Sequence, residues 1–158
     1  MPPKGVRGMR KKSKSSIIKK LQAQAEALWK QVCHKRDGDG CQVQIHFPRI
    51  AIKHSNIYQI DHCFSRTIKE LFLDLANGTK ICSTCNQAKG SGKISSSKKD
   101  AITIAVHEIV KKREGEDTYQ RLLEIASSLA SFQDWKNIEW LEMQIKILEE
   151  LLEGQING

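Results

Sequence analysis

Two things are missing from this 158-residue chain. No apolar run approaches the roughly 18 to 20 residues needed to cross a bilayer, and the basic N-terminus is not followed by the apolar stretch of a signal peptide. The sequence therefore predicts a soluble protein that spans no membrane, resident in the cytoplasm. Acidic residues are missing from the first 20 positions, which hold eight basic ones: Lys4, Arg7, Arg10, Lys11, Lys12, Lys14, Lys19 and Lys20. No internal repeat is visible. The length leaves room for one domain of ordinary size, or a small domain with an appended helical segment, and excludes a multidomain machine. Hydrophobic residues at 39% and charged residues at 28% are enough to build a core, so most of the chain should fold.

The net charge of +8 conceals a polarity along the sequence. Residues 1–99 carry +14 and residues 100–158 carry −6. A basic arm leading into a basic segment suits a polyanion, and nucleic acid is the commonest such partner because each neutralised phosphate releases counterions. A solvated lysine surface or an anionic membrane face are the alternatives. The acidic end is expected to face away from DNA or toward a protein partner. Five cysteines, an odd number, point to thiolates or metal ligands over a disulfide framework in a cytoplasmic chain.

Residues 1–14 show no apolar period and read as a disordered basic arm. From Ser15 or Ser16, either a plausible cap, apolar residues recur at Ile17, Leu21, Ala25, Leu28 and Val32, the spacing of one helix face. This N-terminal helix, 15–36, ends where Asp37-Gly38-Asp39-Gly40 supplies turn chemistry. Two alternating runs, Cys41–Phe47 and Asn56–His62, predict short strands. After a Ser- and Lys-rich linker at 91–99, three helices follow. The first is capped by Asp100 and ends at Gly115, and the second carries Leu122, Ile125, Ala126 and Leu129. The third begins at Asp134, with a seam of Ile138, Leu141, Ile145, Leu148 and Leu152. That seam spans only about two heptads and is expected to pack on the protein's own helices rather than form a coiled coil.

The informative stretch is Ile60-Asp61-His62, a loop to Asn77, then Cys82-Ser-Thr-Cys85-Asn86-Gln-Ala-Lys89. Cys82-x-x-Cys85 supplies half of a tetrahedral zinc site, and no thioredoxin-like pattern surrounds it. The order and spacing resemble the HNH, or ββα-metal, endonucleases. There Asp-His ends a strand, an Asn lies in the loop, and a His or Asn sits on the helix after a Cys-x-x-Cys knuckle. Lys35-Arg-Asp-Gly38 before Cys41, Asp61-His62-Cys-Phe-Ser-Arg66, Leu73-Asp-Leu-Ala-Asn77 and Cys82 through Gly92 are similar to the NinG (Rap) family of lambdoid phages. So is a Trp that begins a long charged C-terminal helix. The likeness spans roughly residues 15–153, with its specific motifs between Cys41 and Gly92.

The resemblance implies an α+β fold: a ββα-metal core at 37–93, preceded by the long helix and followed by a helical segment at 94–158. It implies a nuclease that cuts branched DNA such as Holliday junctions and D-loops. By the family pattern His62 is the general base, Asp61 and Asn86 hold one Mg²⁺ or Mn²⁺, and Asn77 orients His62 or its loop. Arg66, Lys89, Lys11 and Lys12 are candidate DNA contacts. A junction is symmetric, which favours a homodimer, with the acidic C-terminal helices as its interface. The chain departs from the family where a second Cys-x-x-Cys knuckle is expected, because Gln44 stands three positions after Cys41. A structural Zn²⁺ held by Cys41, Cys82, Cys85 and His46 is the expected outcome. Cys33 or His34 as the fourth ligand, or loss of the site, are the others. Cys63 reads as a small buried residue. A nicking or homing-type HNH endonuclease on duplex DNA, or an inert DNA-binding protein of the same fold, are the competing functions.

Deleting residues 1–14 is expected to weaken DNA binding and to flatten the slope of log affinity against log salt by about 0.9 for each phosphate that the arm neutralises. An unchanged slope would make the arm incidental.

Overall fold

The computed structural model describes residues 13–90, 96–128 and 130–156. The basic arm lies outside the described residues except for its last two, and Lys11 and Lys12 lie outside with it. Helix α1 (Lys14–Arg36) starts earlier than expected, because Ser13 is its cap and accepts the Ser16 N–H at 3.3 Å. Its buried face is Ala25, Trp29, Val32 and Cys33, and His34, Lys35 and Arg36 in the last turn complement the helix dipole.

A turn through Gly40, at φ +93°, where only glycine sits without strain, leads into α2 (Gln42–His46). This corrects the strand expected over Cys41–Phe47. Ile45 N–H donates to Cys41 O at 3.0 Å and Phe47 N–H to Val43 O at 2.8 Å, which are helical bonds. The alternation misleads because its two β-branched members do different things: Val43 is buried and Ile45 is 53% exposed.

Among the described residues the sheet is a two-stranded ribbon. Strand β1 (Tyr58–His62) runs antiparallel to β2 (Gly78–Cys82), with Tyr58 opposite Cys82 and His62 opposite Gly78. A ribbon of five-residue strands is marginal alone. Here it lies between two cores. Ile60 packs with Trp29, Phe72, Ile145 and Leu148, and Ile81 packs with Val43, Ile102, Val106 and Leu122. Fully burying each isoleucine contributes about 1.5–3 kcal/mol.

Helix α3 (Ser83–Gly90) leaves β2 without a break. Helix α4 (Ser96–Glu114) buries Ile102, Ala105, Val106, Ile109 and Val110, as the periodicity predicts, but starts four residues before Asp100, inside the supposed linker. Helix α5 is Glu116–Ser127. Helix α6 (Ile138–Ile156) is capped by Asn137, whose Oδ1 accepts the Trp140 N–H at 3.2 Å, while the expected cap, Asp134, opens a 3₁₀ turn. Leu141, Ile145, Leu148 and Leu152 are buried, the last three against α1, so the seam is consumed within the chain. No described helix is long and apolar enough to cross a membrane.

Gly78, which opens β2, lies directly against α1. A Cβ there would sit 2.7 Å from both Cys33 Sγ and Trp29 Cζ2. Gly78→Ala is expected to destabilise the fold by about 1–3 kcal/mol through overpacking. Thermal unfolding should register this as a fall in Tm of roughly 2–10 °C, and an unchanged Tm would contradict the close approach.

Candidate metal centre and adjoining cleft

Three elements deliver sulfur to one point. Cys41 stands just before α2, Cys82 ends β2, and Cys85 lies in the first turn of α3; all three are fully buried. The loop before β1 adds His54, and the four ligand atoms lie within 4.8 Å of one another. Cys41 Sγ is 3.8 Å from Cys85 Sγ, and His54 Nδ1 is 3.5 Å from both Cys82 Sγ and Cys85 Sγ. A tetrahedral zinc with ordinary bond lengths requires edges of roughly 3.8 Å between sulfurs and 3.5 Å between sulfur and nitrogen. The group therefore has the shape and donor chemistry to hold an ion such as zinc. The Cys85 N–H also points at Cys82 Sγ, 3.5 Å away. The Cys41 and Cys85 thiols share a hydrogen bond, which holds the Cys41 thiol down to about 4 and, together with burial, raises that of Cys85.

His54 replaces the expected His46. His46 is exposed and lines a separate 550 Å³ cavity with Arg36, Gln42 and Lys112. Parity contained the warning: five positions after Cys41, His46 falls on the opposite face of a strand and about 140° around a helix. His54 carried no signal beyond being a histidine in an irregular segment. The other two candidates serve elsewhere. Cys33 is buried beneath Gly78, where burial pushes its thiol up to about 12, and His34 lines a cleft beside β1.

That cleft is the second feature. Asp61 and His62 close β1, and with Ser65, Arg66, Asn86, Lys89 and Gly90 they surround a 250 Å³ hollow. A neighbouring 390 Å³ hollow shares Asp61, His62, Arg66 and Asn86 and is walled by α1 through Glu26, Lys30 and His34. The His62 ring is held on two sides: it stacks on Trp29 at 4.5 Å and 14°, and lies 5.0 Å from Phe72. Trp29 is itself anchored, donating from Nε1 to Asp74 O at 3.1 Å. His62 Nε2 is 3.0 Å from Phe72 O, and because a carbonyl only accepts, Nε2 carries the proton. Nδ1 is the bare, basic atom of the neutral ring. Burial lowers the His62 pKa, outweighing the Phe72 bond and the Asp61 charge, so the neutral form predominates at pH 7.

Asn77 is fully buried, and its side-chain hydrogen bonds go to the loop rather than to His62. Its Oδ1 accepts the Phe64 N–H at 2.7 Å, and its Nδ2 donates to Phe64 O and Leu71 O at 3.2 and 3.0 Å. It staples the loop that presents the Phe72 carbonyl. Asn86 donates to Gln59 Oε1 at 2.5 Å. Lys89 lies over Asp61, donating to its Oδ2 and, at 2.8 Å, to His62 O. Cys63 is buried, 3.3 Å from His107 Nδ1, and away from the cluster of sulfurs.

At this end of β1 the Lys89 ammonium bridges the Asp61 carboxylate and the His62 main-chain carbonyl. Compared with known proteins, the chain matches no family model, no curated protein and no solved structure.

Elemental analysis of the full chain purified without chelator should find about one zinc per chain. His54→Ala and Cys82→Ser should lose it together with several degrees of Tm, and His46→Ala should lose neither. Loss of zinc in His46→Ala alone would overturn the ligand assignment.

Proposed function

We propose that this chain is a metal-dependent DNA endonuclease of the HNH type, acting on branched recombination intermediates such as Holliday junctions or D-loops. β1, β2 and α3 form its ββα-metal core. The observation that carries this is the state of His62: a neutral imidazole clamped between Trp29 and Phe72, its Nε2 committed to a carbonyl and its Nδ1 bare, one residue from an oxygen-donor set.

In the reaction, His62 Nδ1 accepts a proton from water as the water oxygen attacks phosphorus. The phosphorus–oxygen bond on the far side breaks, and the departing oxygen takes a proton from solvent. Bound Mg²⁺ or Mn²⁺ would supply charge neutralisation at the phosphate and the departing oxygen. Asp61 and Asn86 would hold it through side-chain oxygens. Trp29 and Phe72 fix the plane of the base, and Asn77 fixes the loop carrying the Phe72 carbonyl. Arg66, exposed at the rim of both hollows, contacts a phosphate. DNA reaches the cleft across the basic part of the chain, and two copies address the two halves of a junction. Their interface is not the apolar seam of α6, which α1 already covers.

His62→Ala should lower cleavage of a synthetic four-way junction by at least about 100-fold, the usual contribution of a positioned base, while binding persists. Equal rates on the junction and on linear duplex would make the protein a duplex-nicking enzyme. A wild-type chain that binds but never cuts with Mg²⁺ or Mn²⁺ would make it an inert DNA-binding protein.

A further inference from the structure

The proposed reaction leaves the arrangement of Lys89 in the cleft unused. Its ammonium donates to Asp61 Oδ2 and to His62 O, and the two side chains are only 18% and 15% exposed. A carboxylate oxygen and a carbonyl oxygen converging on a positive centre are a third of an octahedral hard-cation shell. Asn86 and Lys89 are three residues apart on α3 and so share a face. One helix thus offers Asp61 both a further oxygen ligand and a rival cation.

We propose that Lys89 is an internal counter-ion that holds the Asp61 carboxylate in the metal-free protein and must be displaced for a divalent cation to bind. The inference rests on the assignment of Asp61 as a cation ligand. Both cations cannot share Oδ2: two positive charges a few ångströms apart in a half-buried site repel strongly, so occupancy is an exchange. The exchange needs no backbone movement, because the four-carbon stem of lysine swings its ammonium by several ångströms. The displaced ammonium stays in the hollow it lines with Arg66, where a DNA phosphate is its natural partner. Lys89 therefore opposes metal and favours DNA. An unloaded carboxylate facing an incoming phosphate would repel it, and Lys89 covers that charge until the cation arrives.

The test is Mn²⁺ binding to the full, zinc-loaded chain, followed by electron paramagnetic resonance of free Mn²⁺ without DNA. Lys89→Met is expected to bind about tenfold more tightly than wild type, the scale of removing one partly buried ion pair, and Lys89→Arg to stay near wild type. Asp61→Asn should bind far more weakly. In the presence of Mn²⁺, Lys89→Met should bind junction DNA several-fold more weakly, so the two affinities move in opposite directions. Unchanged or weaker Mn²⁺ binding by Lys89→Met, with Asp61→Asn still defective, overturns the exchange and leaves Asp61 a ligand. Mn²⁺ binding that is indifferent to Asp61→Asn, or absent throughout, overturns both. Should Lys89→Met not fold, the wild-type chain decides. Its Lys89 Nζ resonance should shift and begin to exchange with water on adding Mg²⁺, and an unmoved signal overturns the proposal.

Discussion

One carboxylate holds the architecture together. The Asp37 side chain is 2% exposed at the end of α1, and its Oδ1 takes Arg36 at 2.6 Å and Arg113 at 3.3 Å, while its Oδ2 accepts the Lys80 N–H at 2.8 Å. Both guanidiniums also donate to Gly78 O, Arg36 to Leu75 O, and Arg113 to Ala76 O. The ends of α1 and α4 and the start of β2 thus meet on one charge. Burying three charges is costly, and removing one partner of such a group leaves the others uncompensated, at about 3–5 kcal/mol. What the cluster secures is placement: β2 can begin only where those carbonyls are caught, and Asn77 immediately before it can staple its loop only from there.

The same strand links the two sites. Cys82 closes β2, Cys85 lies one turn into α3, and Asn86 and Lys89 follow on that helix. An ion gripping both cysteines and tying them to Cys41 and His54 would set the axial rotation of α3. That rotation determines what stands over Asp61. A structural centre without open positions can in this way shape a cleft that it does not touch.

Much of this was legible beforehand, and the reasons for the rest are physical. The long helices announce themselves through periodic Ala25, Trp29 and Val32, or Ile102, Val106 and Ile109, because burying one helix face is a local pattern. Asp61-His62 and Cys82-x-x-Cys85 are legible as short motifs. The strand expected over Cys41–Phe47 was wrong because seven residues cannot separate the two periods, and nothing local reveals that the described ribbon offers it no third position. His54 was missed because a ligand from an irregular loop obeys no spacing; only the closed fold brings it to the sulfurs. The pinning of His62 by Trp29 is equally silent, since the two residues belong to different elements and meet only when α1 crosses the ribbon.

The pairing of α1 with α6 has a temporal meaning as well. Gln22 of α1 donates to Trp135 O, 113 positions later. During synthesis the apolar stripe of α1 must wait for that partner, roughly 6–20 s at ordinary elongation rates. Ile145, Leu148 and Leu152 complete the cluster that encloses Trp29 and Phe72. The stacked pocket around His62 is therefore among the last parts of the molecule to close, and a nascent chain that has already made its ribbon and its sulfur cluster still lacks the finished seat of that ring.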